Sequence, residues 1–155
     1  MGTISYHRLD PDDKETITII AEWYLKEWNL PIESTIQRLS NFPATGIPFQ
    51  IILKVDGVPV ATAGIYNHVS LLDRAPQYKI YQPWLALVYT AKEHRNNGYG
   101  ALLCKEIESK AKETGLKEIF LYTFTAEALY KRLNWEEMER IFLNDKDIVI
   151  MKKKL

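Results

Sequence analysis

The segment RNNGYG at 95–100 lies between an apolar run, WLALVYT at 84–90, and a stretch with helical periodicity that ends at Gly115. Two glycines at alternate positions are unexpected where a strand passes into a helix, because glycine loses the most conformational entropy on folding and packs no side chain. A helix N-terminus presents unpaired amides and the positive end of the helix dipole, and phosphate groups bind there readily. The segment is therefore interpreted as backbone left bare for a phosphate or pyrophosphate.

The residues around the two glycines support this interpretation. Arg95 adds a permanent positive charge, and Asn96 and Asn97 tolerate turn geometry. A Walker loop is excluded because it ends in Gly-Lys-Ser/Thr, and a dinucleotide-binding fingerprint would need a third glycine where Leu103 stands. A tight turn packed closely on a sheet, with no ligand, remains the alternative.

Composition limits the class of protein. The 155 residues suit one domain over 1–155, and the 46% apolar content is typical of a globular protein. With 20 basic and 20 acidic side chains, the formal net charge of zero gives no general attraction for nucleic acid or for a membrane surface. The apolar runs are shorter than the ~20 residues of a membrane helix. Cys104 has no cysteine partner, and residues 8–14 are too charged for a signal peptide, which together predict a cytoplasmic protein.

The first half of the chain predicts a strand, two helices and a hairpin. The strand is ISYHRL at 4–9, and Asp10 is expected to cap a helix that starts at Pro11. A second short helix is expected to start at Pro31. Asp56-Gly57, between two apolar runs, predicts a type I′ hairpin, in which Pro59 needs a bulge or an unpaired edge.

The second half predicts strand, helix, strand, helix and a final hairpin, after a loop at 67–82. Gly98 to about Thr114 is the longer helix, and Thr125 is a plausible N-cap for the shorter one. The final hairpin turns at Asn144-Asp145. The element order indicates an α+β fold with a mixed sheet, antiparallel at its flanks and with a parallel or splayed pair at its centre.

Two segments carry a resemblance to a known family. LVYTAKEHRNNGYGALL at 87–103 resembles motif A of the GCN5-related N-acetyltransferases, and ALYKRLNW at 128–135 resembles their motif B. PWLALVYT and LYTF look like segments of one subgroup. The spacing of the motifs and the element order also agree with the family, so that the resemblance covers nearly the whole chain.

The resemblance implies a fold, a cosubstrate and a set of site residues. The fold is that of the acyl-CoA N-acyltransferases, in which a mostly antiparallel sheet, flanked by helices, opens between two splayed central parallel strands. Acetyl-CoA is the implied cosubstrate, with no metal. The residues implied in its binding are Val88, Tyr89 and Thr90 beside the pantetheine arm and Arg95, Asn96, Asn97, Gly98, Tyr99, Gly100 and Ala101 around the pyrophosphate.

The chain departs from the family pattern at two turns. Asn96 stands where glycine is common, and Asn134-Trp135 replaces Gly-Phe. Since asparagine tolerates positive φ better than other side chains, we expect both turns to survive.

Acetyl transfer to an amine needs a polarised carbonyl, a base for the amine and a proton for the departing thiolate. Tyr130 falls on the motif B tyrosine and is the predicted general acid, although its helical spacing also suits an ordinary core residue. His68, at the end of a strand, is the best-placed candidate base, because an imidazole titrates near neutral pH. Asp73 or a water chain is an alternative. A backbone N–H of the LVYT strand would polarise the carbonyl.

The predicted function is transfer of an acetyl group from acetyl-CoA to a primary amine of a small molecule or a peptide, by direct attack in a ternary complex. The residues do not name the acceptor or exclude another acyl-CoA. A homodimer is possible. Two alternatives stay open: a non-catalytic CoA-binding sensor module, and a dimeric interaction protein in which the glycine turn is purely structural.

Overall fold

A computed structural model describes residues 2–155 and shows a single seven-stranded sheet with helices on both faces. The strands are β1 (Ile4–Arg8), β2 (Phe49–Val55), β3 (Val58–Tyr66), β4 (Trp84–Thr90), β5 (Glu118–Thr123), β6 (Glu136–Leu143) and β7 (Lys146–Lys154). The helices are α1 (Lys14–Trp28), α2 (Ile32–Ser40), α3 (Leu71–Arg74), α4 (Tyr99–Glu113) and α5 (Glu127–Arg132). Short 3₁₀ turns cover Pro76–Ile80 and Lys92–His94.

The sheet order is β1-β2-β3-β4-β5-β7-β6, and all neighbours are antiparallel except β4 and β5. Side chains alternate between the two faces, as the pleat requires. In β2, Ile52 packs in one core cluster with α1 and α2, whereas Ile51 and Leu53 pack in the other with α4. The expected α+β fold with a mixed, mostly antiparallel sheet is confirmed.

The first helix starts later than the sequence predicts. The side chain and the carbonyl of Asp10 accept from the amides of Asp12 and Asp13, which makes a turn of this segment. α1 starts only at Lys14, and Asp13 caps it by accepting from Thr16 N at 3.1 Å. The prediction of a cap at Asp10 and a start at Pro11 is wrong, because Asp13 can reach a helical amide and Asp10 closes the turn before it.

The two hairpins form where the turn residues predict them. Asp56 and Gly57 have φ of 51° and 80°, as a type I′ turn requires. The register shifts so that Lys54 faces Pro59, which confirms a bulge at this proline. Asn144 and Asp145, with φ of 51° and 61°, turn the final hairpin.

The turns around α5 agree with the sequence only in part. Thr125 is not the N-cap. Ala126 takes that position without a side-chain cap, and the hydroxyl of Thr123 accepts from the amides of both Thr125 and Ala126. Asn134 has a φ of 69°, as expected for the residue that closes the motif B turn.

The helices of residues 2–155 include none that is long and apolar enough to cross a membrane.

Candidate functional site

The central strands separate almost as soon as they meet. β4 and β5 share one register pair, Trp84 with Phe120, next to a hydrogen bond from Phe120 N to Pro83 O of 3.0 Å. Beyond that pair the strands diverge and a cleft of about 700 Å³ opens between them. The predicted splay is therefore present, and it leaves the β5-facing edge of β4 free to pair with an extended ligand.

A bulge in β4 shapes the wall of this cleft. Leu87 has a φ of 57°, which is unusual for a side-chain-bearing residue, and the β3–β4 register shifts between Thr62 and Gly64. The carbonyl of Leu87 accepts a hydrogen bond of 2.8 Å from the hydroxyl of Tyr24, on α1. The strained residue is thus held by a side chain from a distant segment.

A buried polar network supports that hydrogen bond. Gln50 Nε2 donates to the Tyr24 oxygen and to Thr62 Oγ1, both at 2.9 Å, while Tyr66 donates to Gln50 Oε1 at 2.6 Å. Burial raises the pKa of Tyr66 to about 12 and that of Tyr24 well above its usual value, so both phenols stay protonated as donors. A Cβ on Gly64 would lie 2.5 Å from Gln50 Oε1, so only glycine fits beside the network.

The N-terminus of α4 has the open backbone that the sequence predicts. Gly98 has a φ of 78° and Asn96 a φ of 68°, and a Cβ on Gly98 would meet no atom within 4 Å. The first helical hydrogen bond runs from Leu102 N to Gly98 O at 3.1 Å. Within residues 2–155, the amides of 97–101 have no acceptor. These amides can receive an anion.

The two glycines of this segment differ in what they require. Gly98 needs positive φ, whereas Gly100 lies in the first turn of α4, and a Cβ there would meet only Thr90 Oγ1, at 3.7 Å. Glycine is therefore conformationally necessary at 98 but not at 100, a difference that the sequence does not reveal.

Arg95 and Asn97 stabilise the loop as well as flanking the amides. Arg95 donates through Nε to Thr90 O at 2.9 Å, pairs with Glu27 at 3.4 Å and lies over the ring of Tyr89. Asn97 Nδ2 donates to His94 O at 3.0 Å. The side chain of Arg95 thus turns back towards β4 and α1, and part of its charge is already paired.

The predicted pantetheine-binding strand lies along the cleft, but its side chains face different ways. Val88 lines the cleft on the α4 side, and Thr90 lies next to the α4 N-terminus. Tyr89 is buried against α1, where its ring centroid lies 5.4 Å from that of Trp23 and 5.9 Å from that of Trp28. Tyr89 can therefore serve a ligand with its backbone only.

Tyr130 lines the cleft from α5. It is 7% exposed, its ring packs edge-on against Trp135, and burial raises its pKa well above the usual value. Its hydroxyl has no hydrogen-bonding partner among the described residues, and it is not among the atoms fully closed off from solvent. Tyr130 is therefore both a core residue and a protonated donor facing the cleft.

His68 and Asp73 lie together at the mouth of the cleft. His68 Nε2 is 3.0 Å from Asp73 Oδ1, and both side chains are more than half exposed. Because Nε2 is directed at the carboxylate, Nδ1 is the ring nitrogen that can accept a proton from a ligand. The two candidates for the base thus form one pair.

Cys104 is closed off from solvent in the core. Burial, aided by Glu108, raises the pKa of Cys104 to about 12, which keeps the thiol protonated. Within residues 2–155, no group of three or more His, Cys, Asp or Glu side chains is arranged to hold a metal ion.

Sequence reasoning missed Arg38 and the network around Tyr24. Arg38 lines the cleft from α2, although its place in a short amphipathic helix is typical of a solvated residue. Gln50, a polar residue within the apolar run FQIILKV, was the one signal of a buried network. Among the tryptophans, Trp28 lines the cleft, whereas Trp84 is fully buried in the core.

The model of the Acetyltransferase (GNAT) family matches residues 2–135. The chain belongs to the GNAT family. The resemblance in motifs A and B is thereby confirmed. No curated protein matches the sequence.

Solved structures share the GNAT fold at low identity. The protein yncA from Salmonella typhimurium, solved with its cofactor acetyl-CoA, has a TM-score of 0.73 and 16% identity over 99% of this chain and 94% of that one. An aminoglycoside 6'-N-acetyltransferase complexed with coenzyme A has a TM-score of 0.77 and 12% identity over 97% and 96%. Ard1 from Thermoplasma volcanium has a TM-score of 0.69 and 16% identity over 98% and 97%.

Proposed function

We propose that this GNAT protein transfers an acetyl group from acetyl-CoA to a primary amine of a small molecule or a peptide, by direct attack in a ternary complex. The observation that carries the proposal is the set of amides at 97–101, which have no acceptor in the described chain and stand where the slot along β4 meets the start of α4. The whole of 1–155 would act as one N-acetyltransferase domain.

The geometry suits the shape and charge of acetyl-CoA. Its pyrophosphate would bind the amides of 96–101, in the positive field of the α4 N-terminus and beside Arg95. Its extended pantetheine arm would pair with the free edge of β4 at 88–90, as an added strand does. The presence of acetyl-CoA in yncA and of coenzyme A in the aminoglycoside enzyme supports this placement on a shared fold.

Acetyl-CoA would supply a thioester, whose carbonyl carbon accepts the amine nitrogen and whose carbon–sulfur bond then breaks. The bulge at Leu87 interrupts the regular pairing of β4 with β3, and the amide of Val88 or Tyr89 would donate to the carbonyl oxygen as negative charge develops there. Tyr24 keeps this part of β4 in place through Leu87 O.

Tyr130 would donate a proton to the departing thiolate. Its raised pKa keeps the hydroxyl protonated, and the absence of an acceptor for it in residues 2–155 leaves the proton available. Because Tyr130 is buried, water has little access to compete with its hydroxyl as the proton donor to the thiolate.

His68 would accept the proton that the amine loses. Asp73 holds the imidazole through Nε2, which leaves the lone pair on Nδ1 facing other partners. Because both side chains are exposed, the base can exchange its proton directly with solvent after each turnover.

The test is a melting curve with and without acetyl-CoA, followed by an amine panel with detection of released thiol. We expect acetyl-CoA to raise the melting temperature and at least one amine to release thiol together with an acetylated product. A shift without transfer to any amine would point to a CoA-binding sensor. No shift at all would leave the glycine turn as a structural feature and refute the proposal.

A further inference from the structure

Arg38 is a half-buried cation in the wall of the cleft that the proposed chemistry does not use. It comes from α2 and lines the cleft together with Trp28, Leu30 and Tyr66. The neighbouring side chains are apolar or phenolic, and the charge of Arg38 acts on Tyr66, where it opposes the rise in the pKa of the phenol. The guanidinium therefore has a phenol beside it, and no carboxylate of the described chain within ion-pairing distance.

Two of its three nitrogens lack an ionic partner. Nε and Nη2 of Arg38 are shielded from solvent, and the phenol of Tyr66 is the polar group that interacts with this guanidinium. Nη1 is not among the shielded atoms, so it is the nitrogen through which the guanidinium reaches the open cleft. A buried charge without an acceptor is unfavourable, and native structures rarely retain one without a use.

Other arginines of the chain show what is missing at Arg38. Arg8 donates to the carbonyls of Pro43 and Gly46. Arg140 holds Glu137 side-on, with Nε at 3.1 Å and Nη2 at 2.9 Å from the two carboxylate oxygens. Arg38 has the same fork of donors but no carboxylate of the described chain within ion-pairing distance.

The other charges of the cleft do not compensate Arg38. Asp73 is the acidic side chain in the lining, and it is engaged with His68 at 3.0 Å. Lys146 adds a second cation at the rim, 4.3 Å from the centroid of the Phe124 ring. The cleft thus presents an excess of positive charge to a molecule that enters it.

We propose that the acetyl acceptor is an amine that also carries a carboxylate, and that this carboxylate pairs with Arg38. The inference rests on the proposed function and narrows its substrate class to amino acids and related aminocarboxylates. Nη1, the nitrogen that is open to the cleft, can donate a charge-assisted hydrogen bond to this carboxylate, which positions the molecule as well as attracting it. The amine would then be presented to the β4 bulge, with His68 at the mouth of the cleft.

The test compares acceptors that differ only in the anionic group. A series of aminocarboxylates with one to five methylenes between amine and carboxylate, together with phenylalanine, is assayed against the corresponding carboxamides and against phosphoethanolamine. Charge-assisted hydrogen bonds predict a kcat/KM roughly 10–100-fold higher for at least one carboxylate than for its amide. Equal rates with the amides, or a preference for phosphoethanolamine alone, would overturn the assignment.

The matched variants are Arg38→Met and Arg132→Met, the second removing an exposed arginine of α5 that lies outside the cleft. Arg38→Met should abolish the preference for carboxylates by raising the KM for the amine, with the KM for acetyl-CoA and the rates with neutral amines unchanged. Arg132→Met should behave as the wild type. Equal losses with anionic and neutral amines in Arg38→Met would assign Arg38 to the fold instead.

Two further measurements test the inference even if Arg38→Met does not fold or if no amine is acetylated. If Arg38→Met fails to fold, Arg38→Lys takes its place and should retain part of the preference, and the wild-type comparison needs no variant. If no amine releases thiol, the proposed function fails, and calorimetry with the CoA-loaded protein still decides the inference. Binding of aminocarboxylates but not of their amides would support it, and equal or absent binding would overturn it.

Discussion

The two ends of the cleft are made from different parts of the chain. The proposed coenzyme end, residues 88–90 and 95–101, is built from backbone: unpaired amides, an open strand edge and two positive φ angles. The proposed acceptor end, made of Arg38, His68, Asp73 and Lys146, is built from side chains of three separate segments. Because of this difference, we expect changes at the coenzyme end to alter the affinity for acetyl-CoA. Changes to the side chains that face the reacting groups should alter turnover instead.

The largest effect is expected at Tyr130, which lines the cleft and would donate the proton to the thiolate. Tyr130→Phe removes the protonated hydroxyl but keeps the ring that packs against Trp135. Since general acid catalysis contributes about 10²–10⁴-fold, kcat should fall by that factor while affinity for acetyl-CoA stays nearly constant. Single-turnover rates and calorimetry with acetyl-CoA measure the two quantities. An unchanged kcat would remove Tyr130 from the mechanism.

A smaller loss, roughly 10²-fold in kcat, is expected for His68→Gln, because a general base contributes at the lower end of that range when water can replace it. His7→Gln is the matched control, since His7 lies on β1 and contacts Ser5. The loss should shrink at high pH, where more of the amine is already neutral. If His68→Gln and His7→Gln show the same pH–rate profile, the proton leaves by another path.

The coenzyme end could be predicted from sequence because its function depends on local backbone geometry. Glycine, asparagine and aspartate adopt positive φ at a smaller energetic cost than most residues, so Gly98, Asn96 and Asn134 indicate their own turns. The same preference explains why the turns of both hairpins could be predicted. The identities of a few neighbouring residues are enough to predict these turns, because the turns do not depend on contacts across the sheet.

The acceptor end could be predicted only in part, because its residues meet only in the folded chain. His68 and Asp73 are candidates from the sequence, but Arg38 has the pattern of a solvated helix residue, and nothing local shows that two of its nitrogens are shielded. The strain at Leu87 is equally hidden, since leucine is a poor choice for positive φ and is held there by Tyr24, 63 positions earlier. The helix starts near Asp10 and Thr125 were misjudged because neighbouring residues, Asp13 and Thr123, compete for the same amides.

The coenzyme end is tested by Gly98→Val, with Gly100→Ala as its control. Valine at a φ of 78° is strained by about 1–2 kcal/mol or more, and relief of that strain would turn the amides away from the anion. Affinity for acetyl-CoA should fall about 10-fold to 100-fold, whereas kcat at saturating acetyl-CoA should change little. Gly100→Ala should remain within about threefold of the wild type, as 3.7 Å from Thr90 Oγ1 is an ordinary contact. Equal losses in both variants would mean that the amides need a bare surface rather than a particular φ.

A several-fold effect on turnover, smaller than those at Tyr130 and His68, and a measurable effect on stability are expected where the two ends are joined. Tyr24→Phe leaves Leu87 O without its donor and deprives Gln50 Nε2 of one acceptor, inside a network that has no access to water. Unpaired buried groups of this kind cost about 1–3 kcal/mol, which in a chain of this length lowers the melting temperature by roughly 2–4 °C for each kcal/mol. The matched control is Tyr6→Phe, because Tyr6 lies on β1 outside the cleft. Because the bulge is specified by the network and not by the leucine itself, kcat should fall several-fold in Tyr24→Phe and remain constant in Tyr6→Phe. A variant that loses stability but keeps full turnover would show that β4 holds its bulge without Tyr24, and that the backbone of the cleft is independent of the side chains behind it.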